Sequence, residues 1–151
     1  MRIDLFNQFS DAQAVTATAI SENVIDAQHV SNTLKDLGAG EELYLVVVCT
    51  TAMTDGSSDS TVTVTLESDS TANLATSATV HVTLPVFAAL SAAGTQRVVA
   101  IPQSLLYERY LGVRYTVANG NLTTGSFTAF LTEEVPSWKA YATSHNTKTG
   151  R

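Results

Sequence analysis

Fourteen carboxylates, three histidines and one cysteine are the side chains of this 151-residue chain that could hold a metal or move a proton. A zinc site needs ligands at short, paired spacings. His29, His81 and His145 offer no such pair. Cys49 ends the apolar run Leu45-Val46-Val47-Val48-Cys49, where a buried, unreactive thiol is expected. Glu41-Glu42 and Glu133-Glu134 are adjacent pairs, but neighbours on a strand point to opposite faces, and a working acid/base pair must converge. Asp55, Asp59, Asp69 and nearby serines could offer calcium its oxygen ligands, yet the EF-hand spacing is absent. No Gly-x-Ser-x-Gly elbow, phosphate loop or dinucleotide fingerprint occurs. Asn121-Leu122-Thr123 matches a glycosylation sequon and reads as turn chemistry, since nothing in the sequence points to export. No catalytic, cofactor-binding or metal-binding residue is assigned, and no cofactor is expected.

The remaining candidates are large side chains suited to contact. Tyr107, Arg109, Tyr110, Arg114 and Tyr115 crowd one segment, and such residues bury area while still hydrogen bonding. Taken singly, each is better explained by core packing or cross-strand pairing. Ile3, Leu5, Phe6 and Phe9 could anchor an N-terminal arm. Trp138 and Tyr141 are the large anchors of a C-terminal stretch without strand pattern. With Phe87, Tyr107 and Arg109, these form the set of expected interface residues.

Charge narrows the partners. The net charge is −6, and the eight basic residues are scattered, whereas nucleic acid asks for a clustered basic face. No nucleic-acid partner is expected. A membrane partner is not expected either, because no apolar run is long enough to cross a bilayer. The N-terminus turns polar at once and shows no signal-peptide pattern. A single cysteine fits synthesis in a reducing cytoplasm. Charged residues are only 15% of the chain, and Thr, Ser and Ala take their place. Such a weakly charged polar surface suits a protein packed against neighbours.

Alternation supplies the elements that would position these side chains. Thr61-Val62-Thr63-Val64-Thr65-Leu66-Glu67 sends apolar side chains to one face and hydroxyls to the other, as a half-buried strand requires. Glu42 to Thr51 is apolar on both faces and should be a covered, central strand. Further strands are expected at 13–20, 23–26, 79–84, 96–101, 110–118 and 126–133. Asn119-Gly120-Asn121 is a hairpin signal that makes the last two partners. Residues 54–60 and 68–77 read as connections, with Leu74 a plug in the second. Pro85 and Gly94 bracket an Ala-rich stretch, 86–93, expected to form one short helix. The count is about eight strands. It predicts an all-β chain, an antiparallel β-sandwich or jelly roll spanning 13–135. Residues 1–12 would be an arm and 136–151 a tail.

A family resemblance enters on an ordered series of segments. Phe9-Ser10-Asp11-Ala12-Gln13-Ala14-Val15-Thr16-Ala17-Thr18-Ala19 and Asn23-Val24-Ile25-Asp26 open it. Gly38-Ala39-Gly40-Glu41-Glu42-Leu43-Tyr44, Val62-Thr63-Val64-Thr65-Leu66, Leu84-Pro85 and Gly94-Thr95 follow. Arg109-Tyr110-Leu111-Gly112-Val113-Arg114-Tyr115-Thr116-Val117 closes it. Together they resemble the capsid cement (decoration) proteins of short-tailed bacteriophage heads, in outline over residues 3–133. The resemblance implies a jelly roll without enzymatic activity on the outside of an icosahedral virion. Its implied partners are the major capsid protein and further copies of itself, as a homodimer or homotrimer. The alternative expectation is a virion-associated glycan- or receptor-binding β-sandwich. A hydrolase using the scattered carboxylates is the least favoured reading.

Overall fold

A computed structural model describes residues 5–27, 42–75, 77–102 and 106–135. A short 3-10 turn, Leu5–Asn7, leads into nine strands. They are β1 Gln8–Ala14, β2 Ala19–Ile20, β3 Ile25–Asp26, β4 Tyr44–Thr54, β5 Thr61–Asp69, β6 Thr79–Thr83, β7 Gln96–Ala100, β8 Tyr110–Ala118 and β9 Thr124–Thr132. One sheet has the order β1-β9-β4-β7; the other runs β2-β8-β5-β6, with β3 also on β8. Every pairing is antiparallel.

This order has a simple origin. β5 pairs with β6, β4 with β7, β2 and β3 with β8, and β1 with β9. The chain is one long nested hairpin, rolled so that β4·β9 and β5·β8 also pair and divide it into two sheets. That arrangement is the jelly roll. β2 and β3 share one edge position, so nine strands occupy eight places.

Alternation decides what lies between the sheets. Val62, Val64 and Leu66 of β5 and Leu111, Val113 and Tyr115 of β8 meet Leu45, Val47 and Cys49 of β4 and Phe127, Ala129 and Leu131 of β9. Cys49 is a buried free thiol, and burial pushes its pKa up, against a smaller backbone hydrogen bond. Val46 is also buried, so β4 is apolar on both faces as its sequence requires. One polar pair interrupts this core: Ser10 Oγ lies 2.5 Å from Tyr115 Oη, and Tyr115 stacks on Phe127 at 5.4 Å. Burial raises the Tyr115 pKa far above the usual phenol value, so the hydroxyl stays neutral.

Three expectations change. Residues 86–93 form no helix. Phe87 instead bridges to Val62 through two backbone hydrogen bonds, and Leu90 takes φ 58°, which a right-handed helix cannot contain. The pull of Phe87 into the core overrides the helix preference of its alanines. Second, β8 and β9 are not partners, although Asn119 and Gly120 do take the positive φ of a tight turn, 65° and 108°. Residues 119–123 cross from one sheet to the other, and buried Leu122 pins the crossing through its N–H to Thr16 C=O. Third, the strand expected over 13–20 is broken at bends 16–18, and β1 starts earlier, at Gln8, across the expected arm boundary.

The connection after β5 folds back over the outer face of the second sheet. Leu74, the expected plug, is fully buried there. A Cβ on Gly112 of β8 would lie 2.5 Å from Leu74 Cδ1, so only glycine lets Leu74 sit so close. Arg114 donates to the Leu74 carbonyl and pairs through Nε with Glu67 Oε2 at 2.8 Å. A buried carboxylate, a cation and a backbone carbonyl thus lock the loop onto the sheet.

Candidate functional site

The strand directions sort the loops into two ends. Loops 15–18, 55–60, 84–95 and 119–123 gather at one end. It is knitted by short polar bonds. Asp55 Oδ2 accepts from Ser60 Oγ at 2.8 Å and from the Ser60 and Asp59 N–H groups. Burial works against the Asp55 anion, but these donors outweigh it and hold the pKa below the usual carboxylate value. Asp69 lies at the far end of β5 from Asp55 and Asp59, so the three do not converge on calcium. Among the described residues no group of His, Cys, Asp and Glu could hold a metal.

The opposite end carries residues 5–7, 42–43, 69–75, 101–102, 106–109 and 133–135. It displays apolar surface: Phe6 is 88% exposed, Leu106 94% and Val135 41%. Around these stand Glu42, Glu108, Glu133 and Glu134, none of them in an ion pair among the described residues. Tyr44 donates to Glu42, and that bond raises the Tyr44 pKa, with burial and the nearby charge adding to it. Thr79 donates to Glu108 at 3.1 Å.

Four of the expected interface residues lie at this end. Phe6 projects from the 3-10 turn. Tyr107 is half-buried, tilts against His81 with ring centroids 4.5 Å apart, and donates to Pro102 C=O at 2.8 Å. Burial raises its pKa. Arg109 forks onto both oxygens of Asp26, at 3.0 and 2.9 Å, and lies over the Tyr110 ring. The hydrogen bond to Asp26 raises the Arg109 pKa, against a smaller effect of burial. Leu5 lies in the same turn as Phe6.

Phe9 and Phe87 are elsewhere. Both are fully buried in the sandwich, so their rings face the core. Phe87 meets Phe127 edge-on at 5.1 Å, and the Arg97 guanidinium lies over the Phe87 ring. Ile3, Trp138 and Tyr141 lie outside the described residues.

One constellation was invisible in the sequence. Ser68 Oγ and His81 Nε2 are 2.6 Å apart, with Glu108 close enough to affect the imidazole. Their types suggest a nucleophile and its base. Their setting does not, because Ser68 is fully buried and its Oγ already accepts from Glu108 N–H at 2.9 Å. The pair ties β5, β6 and the entry to β8 together. Burial lowers the His81 pKa, and Glu108 opposes that shift. Leu106 and Val135 were also missed; Leu106 stands between Leu105 and Tyr107 and Val135 between Glu134 and Pro136, and neither belongs to an alternating run that would assign it a face.

A family model, Bbp16, matches residues 9–131. The chain belongs to the Bbp16 family. The match covers nearly all of β1 through nearly all of β9, and leaves out the exposed turn at Phe6 and the segment after Thr132. No curated protein matches the chain.

Proposed function

We propose that this Bbp16-family jelly roll is a structural virion protein. On this reading it decorates the outside of an icosahedral phage capsid and cements contacts between major capsid proteins. The observation that carries the reading is the division of labour in the molecule. Three buried polar pairs, Ser10 with Tyr115, Glu67 with Arg114 and Ser68 with His81, hold its own framework. Its most exposed large apolar side chains, Phe6 and Leu106, lie at the same end of the sandwich. A rigid body with an adhesive end suits attachment better than turnover. The ordered segments that resemble capsid cement proteins support the same assignment.

The mechanism is multiplicity. A cement protein touching several shell subunits converts separate weak contacts into one strong attachment, because each later contact forms at high effective concentration. Self-association as a homodimer or homotrimer would extend this across a symmetry axis. The chain would be made in the host cytoplasm and act on the finished shell without nucleic acid, membrane or cofactor. The test is to add purified protein to expanded shells that lack it. Saturable co-sedimentation and a higher disruption temperature are expected. Shells that bind none of it, or that disrupt at the same temperature when saturated, would overturn the reading.

A further inference from the structure

The reversal after β8 brings a reactive pair of residues to the surface. Seven asparagines occur in the chain, and Asn119 alone precedes a glycine. Asparagine is thermolabile because the amide nitrogen of the next residue can attack its side-chain carbonyl, and glycine, lacking a Cβ, leaves that attack unhindered. Asn119 and Gly120 are both exposed. Their φ angles, 65° and 108°, have the signs of a type I′ turn.

This conformation is one peptide rotation from the reactive one. Ring closure requires the bond from the Asn119 carbonyl carbon to the Gly120 nitrogen to eclipse Cα–Cβ. The first central residue of a type II′ turn has that arrangement with the same positive φ. Asn119 therefore keeps its φ while the 119–120 peptide turns over, and Gly120 accepts either sign of φ. Two long hydrogen bonds oppose the rotation. Ser60 Oγ donates to Asn119 C=O at 3.3 Å, and Asn119 Nδ2 donates to Asp59 C=O at 3.3 Å. Ser60 Oγ also lies 3.1 Å from Gly120 C=O and 2.8 Å from Asp55 Oδ2, so its hold on Asn119 is shared. Asp55-Gly56, at the same end, has the same ring available, but its carboxylate is a poor electrophile and is held by Ser60 and Asp59.

We propose that Asn119 deamidates in the folded protein through a succinimide with Gly120, and that Ser60 sets the rate. The Gly120 nitrogen, its proton taken by solvent base, bonds to Asn119 Cγ. The Cγ–Nδ2 bond breaks, and ammonia leaves with a proton from water. Water then adds to either imide carbonyl and opens the ring to aspartate or to isoaspartate, in which the main chain runs through the side-chain carbonyl. One water is consumed in sum, one ammonia is released, and nothing is oxidised or reduced. The new carboxylate stands where Nδ2 donated to Asp59 C=O. Isoaspartate also adds a carbon to the crossing that Leu122 N–H ties to Thr16 C=O. Both products loosen this end of the sandwich.

The test is incubation of the purified chain in warm, mildly alkaline buffer, followed by peptide mass mapping with isoaspartate-specific fragmentation. Replacement of NH2 by OH is expected at Asn119 several-fold ahead of every other asparagine, with a more acidic species on anion exchange. Ser60→Ala should raise the rate about two- to tenfold, the worth of one hydrogen bond. Leu74→Ala, which weakens the fold from the opposite end, should leave the rate unchanged. An Asn119 that reacts no faster than the other asparagines would overturn the proposal. A rate indifferent to Ser60→Ala would remove Ser60 from it. Equal acceleration by Leu74→Ala would assign the reaction to the unfolded chain and overturn the folded-state route.

Discussion

Gly112→Ala tests whether Leu74 is seated as described. A methyl carbon at Gly112 would stand 2.5 Å from Leu74 Cδ1, 3.0 Å from Val24 Cγ1 and 3.4 Å from Ser21 Oγ. Carbon atoms pack best at about 3.5–4.0 Å, so the end of Leu74 must withdraw by roughly 1 Å or more. It has little room, being fully buried, with its carbonyl held by Arg114. Ser21 is fixed as well, since its Oγ accepts from Val113 N–H at 3.1 Å. Overpacking of this kind costs about 1–3 kcal/mol. Gly112 lies outside the left-handed region, so alanine also restricts the unfolded chain, which returns about 0.4–1 kcal/mol. The net expectation is a loss of about 1–2 kcal/mol, or roughly 2–8 °C in Tm. Leu74→Ala alone should lose about 2–4 kcal/mol. The double variant should lose less than the sum by about 1 kcal/mol, because the new methyl enters space that Leu74 has vacated. Urea unfolding of the four proteins, with m-values compared, measures all three terms. A neutral Gly112→Ala that adds simply to Leu74→Ala would show that Leu74 does not pack on β8.

Three further outcomes follow from the same geometry. Arg114→Met strands the Glu67 carboxylate, whose side chain is only 5% exposed, and should cost about 3 kcal/mol in urea unfolding; a loss below about 1 kcal/mol would mean water reaches Glu67. Tyr115→Phe leaves Ser10 Oγ without its buried partner and should cost about 1–2 kcal/mol, while calorimetry still shows one cooperative transition. His81 is held below its ordinary pKa by burial, so below about pH 6.5 the unfolded chain takes up a proton more readily than the folded one. Its contribution is complete above that pH and declines as pH falls towards the folded value. Thermal melts of His81→Gln should lack this part of the acid slope; slopes identical to wild type would remove His81 from the account.

Much of the architecture can be read from period alone, because face is a local property. The Thr-Val alternation of β5 sends Val62, Val64 and Leu66 inward, and the unbroken apolar run of β4 marks a strand covered on both sides. Leu74 stands out for a similar reason, as the lone large apolar residue in a polar connection. Pairing is different. Asn119-Gly120 encodes a reversal, but a reversal serves a hairpin within one sheet and a crossing between two equally well. What selects the crossing is remote: β9 finds β1 and β4, and Leu122 binds to Thr16. The candidate site suffers from the same limit. Phe6 and Phe9 are three positions apart and both look like anchors, yet β1 begins between them, so one is exposed and the other is core. Ser68 and His81 meet only because β5 pairs with β6. The end that bears Phe6 is assembled from the tails of several strands, and two of its exposed residues, Leu106 and Val135, lie in segments without an alternating pattern to mark them. The nested hairpin therefore does more than build the sandwich. It brings the exits of β9, β7 and β5 to one end, and there side chains unremarkable in their own segments share a surface.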